Sequence, residues 1–320
     1  MAFPNVTDIV ATTLERRSGR VANNVAKNNA VLSKLEMRGR KRTVSGGRVI
    51  FEELSFAENG NAGFYSGYDP LPVNPADVIS AAQFDIKQAA CPIVISGLEM
   101  LQNAGPDAVL DLLERRISVA EDTMKNLICG SIYSDGTGYG GKEITGLNAA
   151  VPLTNTSGVY GGIDRATWTF WRNQVVNVAN TATLLADMNN LWTPLQRGAD
   201  RPDLIVVDNT IWKAYVALVQ PLQRFASMTG EGTAGFGFPA VKFMDADMVL
   251  DGGIGGFCPA GTAFFLNTNY IHWRPHAQRN FVSLNKRYSF NQDAEVQILA
   301  FAGNLTTSGA QFQGRLDVNP

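Results

Sequence analysis

Histidine is almost missing from this chain: His272 and His276 are the only two in 320 residues. Triad chemistry would have to pass through one of them, and no Gly-x-Ser-x-Gly elbow presents a serine nucleophile. Their spacing suits a metal only on a helix, which Pro275 between them opposes, and no cysteine or carboxylate cluster adjoins them to complete a ligand set. Both are therefore expected as unrelated surface side chains. Cysteine is nearly as scarce. Cys91, Cys129 and Cys258 are odd in number and widely spaced, which excludes a disulfide framework and fits reduced thiols. Apolar runs stay short of the ~18 residues a membrane span needs. The opening MAFPNVTDIV has no basic segment leading into an apolar run, so no signal peptide is expected, and the sequons at Asn5, Asn155 and Asn304 read as coincidence.

Charge is also in short supply. Charged residues make up 18% of the chain, below the ~25% usual for soluble domains. A chain that keeps so little charge in water is suited to hiding surface against copies of itself. The net charge of −2 excludes polyanion binding by bulk charge, but its distribution is uneven. Residues 1–45 hold nine cations against three carboxylates, a net +6, which leaves −8 for the remainder. Such a basic segment on an acidic body suits contact with nucleic acid or docking on an acidic neighbour.

What is present is organised in blocks. Residues 6–42 have the pattern of an amphipathic helix with no core of its own, and Gly46-Gly47 breaks it. RVIFEELSF (Arg48–Phe56) is a strand by composition, and AAQFDIKQA (Ala81–Ala89) alternates as a partner strand. The segment between them is rich in Gly, Pro and aromatics. It is too long for an ordinary hairpin turn and reads as a functional projection. Phe64, Tyr65 and Tyr68 at its tip are either covered by another chain or folded back on their own core. From Pro106 to Cys129, Leu110, Leu113, Ile117, Ala120, Met124 and Leu127 mark one face of a helix roughly 36 Å long, which Gly130 is expected to end. DGTGYGGKEITGLNAAV (Asp135–Val151) follows, a loop and then a strand. Then comes GGIDRATWTFWRNQ (Gly161–Gln174), with two Trp, a Phe and two Arg. A second α/β region opens near Thr181. It has a helix with Leu184, Met188, Leu191 and Leu195 on one face, a buried strand Leu204–Val207, a helix over Asn209–Phe225 and a Gly-rich stretch. Strands AFFLNT, NFVSLNKRYSF and AEVQILAFAG close the chain.

Two suggestive motifs lack what their chemistry needs. Gly136, Gly141 and Lys142 imitate a phosphate loop, but Glu143 replaces the Ser or Thr that holds magnesium, and the segment follows a helix where a phosphate loop follows a strand. Glu52 and Glu53 are strand neighbours, so they point to opposite faces and cannot act as a carboxylate pair. No credible active site and no cofactor motif emerge.

The order of parts, together with ITGLNAAV (Ile144–Val151) leading into GGIDRATWTFWRNQ, resembles the major capsid proteins of tailed bacteriophages with the Hong Kong 97-type fold. The resemblance implies an α+β, Hong Kong 97-like capsid fold. Its divisions here would be an N-terminal arm (1–45), an extended β-hairpin loop (46–92), and a peripheral domain (93–180) with a long spine helix at 106–129. An axial domain (181–262) and return strands (263–320) would complete it. It implies a structural, non-enzymatic subunit without cofactor or metal, whose main partner is itself, in pentamers and hexamers of a closed shell around phage DNA. Scaffold, portal and cement proteins are further expected partners, and DNA contact is expected to be non-specific, with no membrane involved. Assembly would take place in the host bacterial cytoplasm, and the virion would be the final location. Candidate inter-subunit contacts are Phe64, Tyr65 and Tyr68 on the loop, Arg165, Trp168, Trp171 and Arg172 in the aromatic block, and Arg38, Arg40 and Arg42 in the arm. The alternative for both Trp is a place inside the subunit's own core. Glu58–Asp77 contains no lysine, so the Lys–Asn covalent link of some family members is not expected, and a separate scaffold, or none, is. An encapsulin-like compartment, another virion component and a cytosolic enzyme are the competing readings.

Overall fold

The structure, a computed structural model, describes residues 29–71, 73–75, 77–102, 106–220, 240–253, 256–288 and 293–318. Within this range the expected arm helix is short. Helix α1 is Ala30–Met37, capped by Asn29, whose side-chain oxygen accepts from the amides of Val31 (3.0 Å) and Leu32 (3.2 Å). The stretch 6–28 of that expectation lies outside the described residues. The helix stops where Gly39 takes φ +66°, a conformation open to glycine at no steric cost, and the chain then runs extended. The helical pattern expected to reach residue 42 gives way here because a strand edge offers residues 40–44 backbone partners.

Strands β1 (Val49–Ser55) and β2 (Ile79–Asp85) form an antiparallel hairpin in which Glu52 faces Ala82. The alternating stretch Ala81–Ala89 is not one strand. It pairs with β1 only as far as Asp85, turns at Ile86, and continues as β3 (Lys87–Ser96) in a different sheet. Helix α2 (Pro106–Ser131) is 26 residues long, about 39 Å. Ile117, Ala120 and Met124 are buried as the heptad-like spacing requires, with Ile128 joining them and Leu127 half-buried. The side chains of Leu110 and Leu113 lie outside those described. Gly130 does not end α2, which continues to Ser131; the ring of Phe257 packs close to it instead. Ile144–Val151 is not a strand either. Leu147–Ala150 forms one helical turn, entered through Gly146, where a Cβ would stand 2.4 Å from the carbonyl oxygens of Ser131 and Ile132. That close approach lets the Leu147 amide donate to Ile132 O at 2.7 Å and close off the end of α2.

Apart from a short helix at Gly97–Gln102, a two-residue strand pair (Val159–Tyr160 with Ile163–Asp164) and isolated turns, the elements that follow are β4 (Gln174–Val178), α3 (Leu184–Trp192), β5 (Leu204–Val207), α4 (Asn209–Val219), β6 (Ala240–Phe243), β7 (Ala246–Leu250), β8 (Thr262–Leu266), β9 (Ile271–Pro275), β10 (Val282–Tyr288), β11 (Ala294–Thr307) and β12 (Gly314–Val318). Residues 221–239, which include the end expected for α4 and the Gly-rich stretch, lie outside the described range. Six strands pair in the order β4–β12–β8–β5–β7–β6, so this sheet draws strands from before residue 181 and after residue 262. Leu184, Met188, Leu191 and Leu195 are buried against it, and β5 is buried on both faces. In the second sheet the long β11 carries β3 on one side and both β9 and β10 on the other. A continuous apolar core joins α1, the hairpin root, the end of α2 and this sheet.

Candidate functional site

The hairpin root is built into the body. Ile50, Leu54, Ala82 and Phe84 are buried in the core, and Glu52, in phase with Ile50 and Leu54, is carried inward with them. It is no ordinary strand-face carboxylate. Arg274 on β9 donates to it from Nε (2.6 Å) and Nη2 (2.7 Å), and Thr306 on β11 donates from Oγ1 at 2.7 Å. Burial by itself would raise the Glu52 carboxyl. The Arg274 and Thr306 hydrogen bonds and the Arg274 charge outweigh it and hold the group below its ordinary value. His272, two residues before Arg274, is buried rather than at the surface as expected, because the IHWRP segment is an inner strand. Burial brings its pKa down to about 4, against an opposing pull from Glu52. A further bond, Asn304 Nδ2 to Asp85 O at 2.8 Å, fixes the other strand of the root.

The tip of the same hairpin has no such support. Beyond the Phe56 N to Val78 O bond, the described residues between 57 and 78 bond within the loop itself, from Ser66 N to the Asp69 carboxylate (2.9 Å) and across the loop from Asn61 Nδ2 to Asn74 O (2.5 Å). Phe64 and Tyr68 are fully exposed, and Tyr65, Leu71 and Val73 are largely so. Of the two alternatives for the loop aromatics, folding back on the chain's own core is therefore ruled out within this subunit.

The aromatic block divides between inside and outside. Trp171 is 1% exposed, stacks near Tyr160 and donates from Nε1 to Tyr160 O at 2.8 Å. Arg165 is buried too. Its Nη2 donates to the carbonyls of Ala149 (2.8 Å) and Ala150 (3.0 Å) at the end of the Leu147–Ala150 turn, and its guanidinium lies over the Tyr160 ring. Both side chains are thus held within the subunit's own fold. Trp168 remains 46% exposed, edge-on to Phe56 and Phe170 at the foot of the loop. Arg172 is half-buried, donating to the carbonyls of Arg165 and Ala166 at 2.7 Å.

Cations of the arm engage their own chain. Lys34 meets Asp247 at 2.8 Å, Arg38 meets Asp203 at 3.3 Å, Lys41 meets Glu36 at 2.8 Å, and Arg40 donates to Asn269 at 2.9 Å. Arg42 is exposed, with its backbone amide on Trp273 O. The helix also has a core after all: Ala30, Val31, Leu32 and Leu35 are buried in the main cluster.

The Gly136–Lys142 segment is an exposed turn between α2 and Leu147, and Lys87 donates to Gly141 O at 2.7 Å. A polar cavity of about 430 Å³ nearby is lined by Lys87, Asp135, Asn148 and Arg165 among others. Its lining has no histidine or cysteine, and Asp135 is engaged by Thr137, whose bonds lower its pKa. Among the described residues no group of His, Cys, Asp or Glu is placed to hold a metal ion, and no helix is long and apolar enough to cross a membrane.

No family model matches the sequence, and no curated protein matches it. Solved structures do match. The capsid asymmetric unit of cyanophage A-1(L) superposes with TM-score 0.62 at 16% identity, over 89% of this chain and 93% of the other. The fold is that of a phage capsid protein. The capsid of a native GTA particle matches with TM-score 0.58 at 12% identity over 90% of both chains, and that of the Myoviridae phage XM1 with 0.51 at 12% identity over 89% and 92%. The capsid fold thus runs across nearly the whole chain. At these identities side chains are free to differ, which is why the correspondence lies in the order and packing of elements.

Proposed function

We propose that this chain is the major capsid protein of a tailed phage, a structural subunit that closes into an icosahedral head around double-stranded DNA. The observation that carries the reading is the capsid fold matched over about nine tenths of this chain and of its structural neighbours alike. On this reading α2 is the spine helix and, with the β3–β9–β10–β11 sheet, forms the peripheral domain. The six-stranded sheet with α3 and α4 is the axial domain, and residues 46–92 carry the extended loop. Phe64, Tyr65, Tyr68 and Trp168 are the contacts made to neighbouring copies in pentamers and hexamers. Each contact is modest, and ring and shell closure multiply them.

The acidic body faces packaged DNA without gripping it, since binding to a phosphate backbone rests on cations. The loop holds Glu58, Asp69 and Asp77 but no lysine between residues 57 and 78, so the shell is locked by noncovalent contacts or by a cement protein. Scaffold and portal proteins complete the partners, assembly takes place in the bacterial cytoplasm, and the subunit performs no catalysis.

The test is sedimentation and negative-stain microscopy of the protein expressed alone and with its candidate scaffold. Closed shells, or rings that convert to them, are expected. A discrete dimer or tetramer under every condition would overturn the reading.

A further inference from the structure

The segment Asn29–Val44 touches both large sheets, and it does so with two different kinds of bond. At one end α1 lies on the six-stranded sheet. Lys34 is paired with Asp247 of β7, both side chains largely buried, and Arg38 reaches Asp203 just ahead of β5. Asp203 is itself held in place by the Thr268 amide (2.8 Å) and hydroxyl (2.6 Å). At the other end residues 40–44 add to the edge of β9 through main-chain bonds. Arg42 N donates to Trp273 O (3.0 Å), Val44 N to Pro275 O (2.9 Å), Trp273 N to Arg40 O (3.1 Å) and Ala277 N to Val44 O (2.9 Å). Gly39 turns the chain between the two ends. Beneath, Val31, Leu32 and Leu35 share one core with Leu204, Val206 and Val249 of the first sheet and Ile271, Trp273 and Leu305 of the second.

We propose that residues 29–44 are a strap that fixes the angle between the two sheets, with an ionic clasp at Lys34–Asp247 and Arg38–Asp203 that opens while the strand end stays paired. The two ends differ in their physics. Main-chain pairing at 40–44 is indifferent to salt, whereas the clasp is electrostatic, and its outer pair, with Arg38 half-exposed, is open to screening. An eight-residue helix is too short to persist undocked, so with the clasp open α1 rests on Val31, Leu32 and Leu35 alone and loosens as a unit. In a shell built from one sequence, a strap of this kind lets the two sheets adopt slightly different angles in pentamers and hexamers. That consequence rests on the capsid reading; the strap itself does not.

Hydrogen exchange of the full-length protein tests it. In Lys34→Met/Arg38→Gln, amides of residues 33–38 should exchange about tenfold faster or more, while those of Arg42 and Val44 keep their protection. Asp247→Asn should act in the same direction from the opposite side of the clasp. The unmodified protein provides a control independent of folding: raising NaCl from 0.05 to 1 M (about 14 to 3 Å in screening length) should speed exchange of the α1 amides alone. Exchange in α1 that is insensitive to salt and to these substitutions overturns the proposal. So does an arm that opens from residue 33 to 44 in one step, because the strand end is then no separate anchor. If the exchange behaves as expected but no particles ever form, the strap stands and the capsid reading falls.

Discussion

The root and the tip of the projecting hairpin belong to one run of sequence, yet they obey opposite rules. At the root, Glu52 lies within a core of Ile50, Leu54 and Phe84 and is matched by Arg274 and Thr306. At the tip, Phe64 and Tyr68 stand in solvent with no partner from their own chain's core. A buried charge is tolerated where every acceptor lone pair is met, and an exposed aromatic is tolerated where something else is to cover it. On the proposed capsid reading the hairpin is a device anchored to its own subunit at one end and left for another subunit to complete at the other.

Removing one member of the root pair should give the largest effect. Glu52→Ala leaves Arg274 buried without its counter-charge and should destabilise the unassembled subunit by about 3–5 kcal/mol, against no more than about 0.5 for its exposed neighbour Glu53→Ala. Urea titration of both variants measures it, and equal losses would erase the distinction between the strand faces. The aromatic block makes the same contrast within four residues. Trp171→Ala should cost about 3–5 kcal/mol by leaving a cavity, and Trp168→Ala about 1 kcal/mol or less in the isolated subunit, with its larger effect on particle yield.

Acid should loosen the root next. His272 is neutral in the folded chain down to about pH 4 but protonates from its ordinary 6.5 when unfolded. The unfolded state therefore binds the extra proton, and stability falls as pH drops from about 6.5 to 4. The Glu52 carboxyl, also depressed, adds its loss below its ordinary value of 4.5, as pH falls through its lowered folded value. Melting temperatures across this range should fall, and His272→Gln should flatten the part between 6.5 and 4. Smallest of all for the subunit is the tip. Phe64→Ser with Tyr68→Ser should change subunit stability by less than about 0.5 kcal/mol while cutting the fraction sedimenting as closed particles. A stability loss as large as that of Glu52→Ala would mean the tip belongs to the subunit's own core.

Much of this was legible in the residues because it depends on local period. The face Leu184, Met188, Leu191, Leu195 and the fully apolar β5 follow from spacing alone, as does most of α2. Glu52 falls in step with Ile50 and Leu54, but a carboxylate on a strand reads by itself as an ordinary strand-face residue, and nothing local announces the partner 222 positions away that lets it be buried. The break of the alternating stretch at Ile86 was hidden because both halves have the same period and differ only in which strand they meet. The block's composition could not separate Trp171 from Trp168, as either indole gains by leaving water. Likewise the positive arm carried no sign of which carboxylates it would meet. Asp203 and Asp247 come from turns and strand ends far along the chain.

By itself the sequence determined most of the longer helices and strands and the order in which they follow one another, because hydrophobic period is a property of neighbouring positions. The tertiary structure alone decided which aromatic is core and which is surface, where the arm's charges go, and that His272 lies inside. Those outcomes depend on which distant strand lies alongside, and the free energy of burying a charge or a ring is set by the partner it finds there.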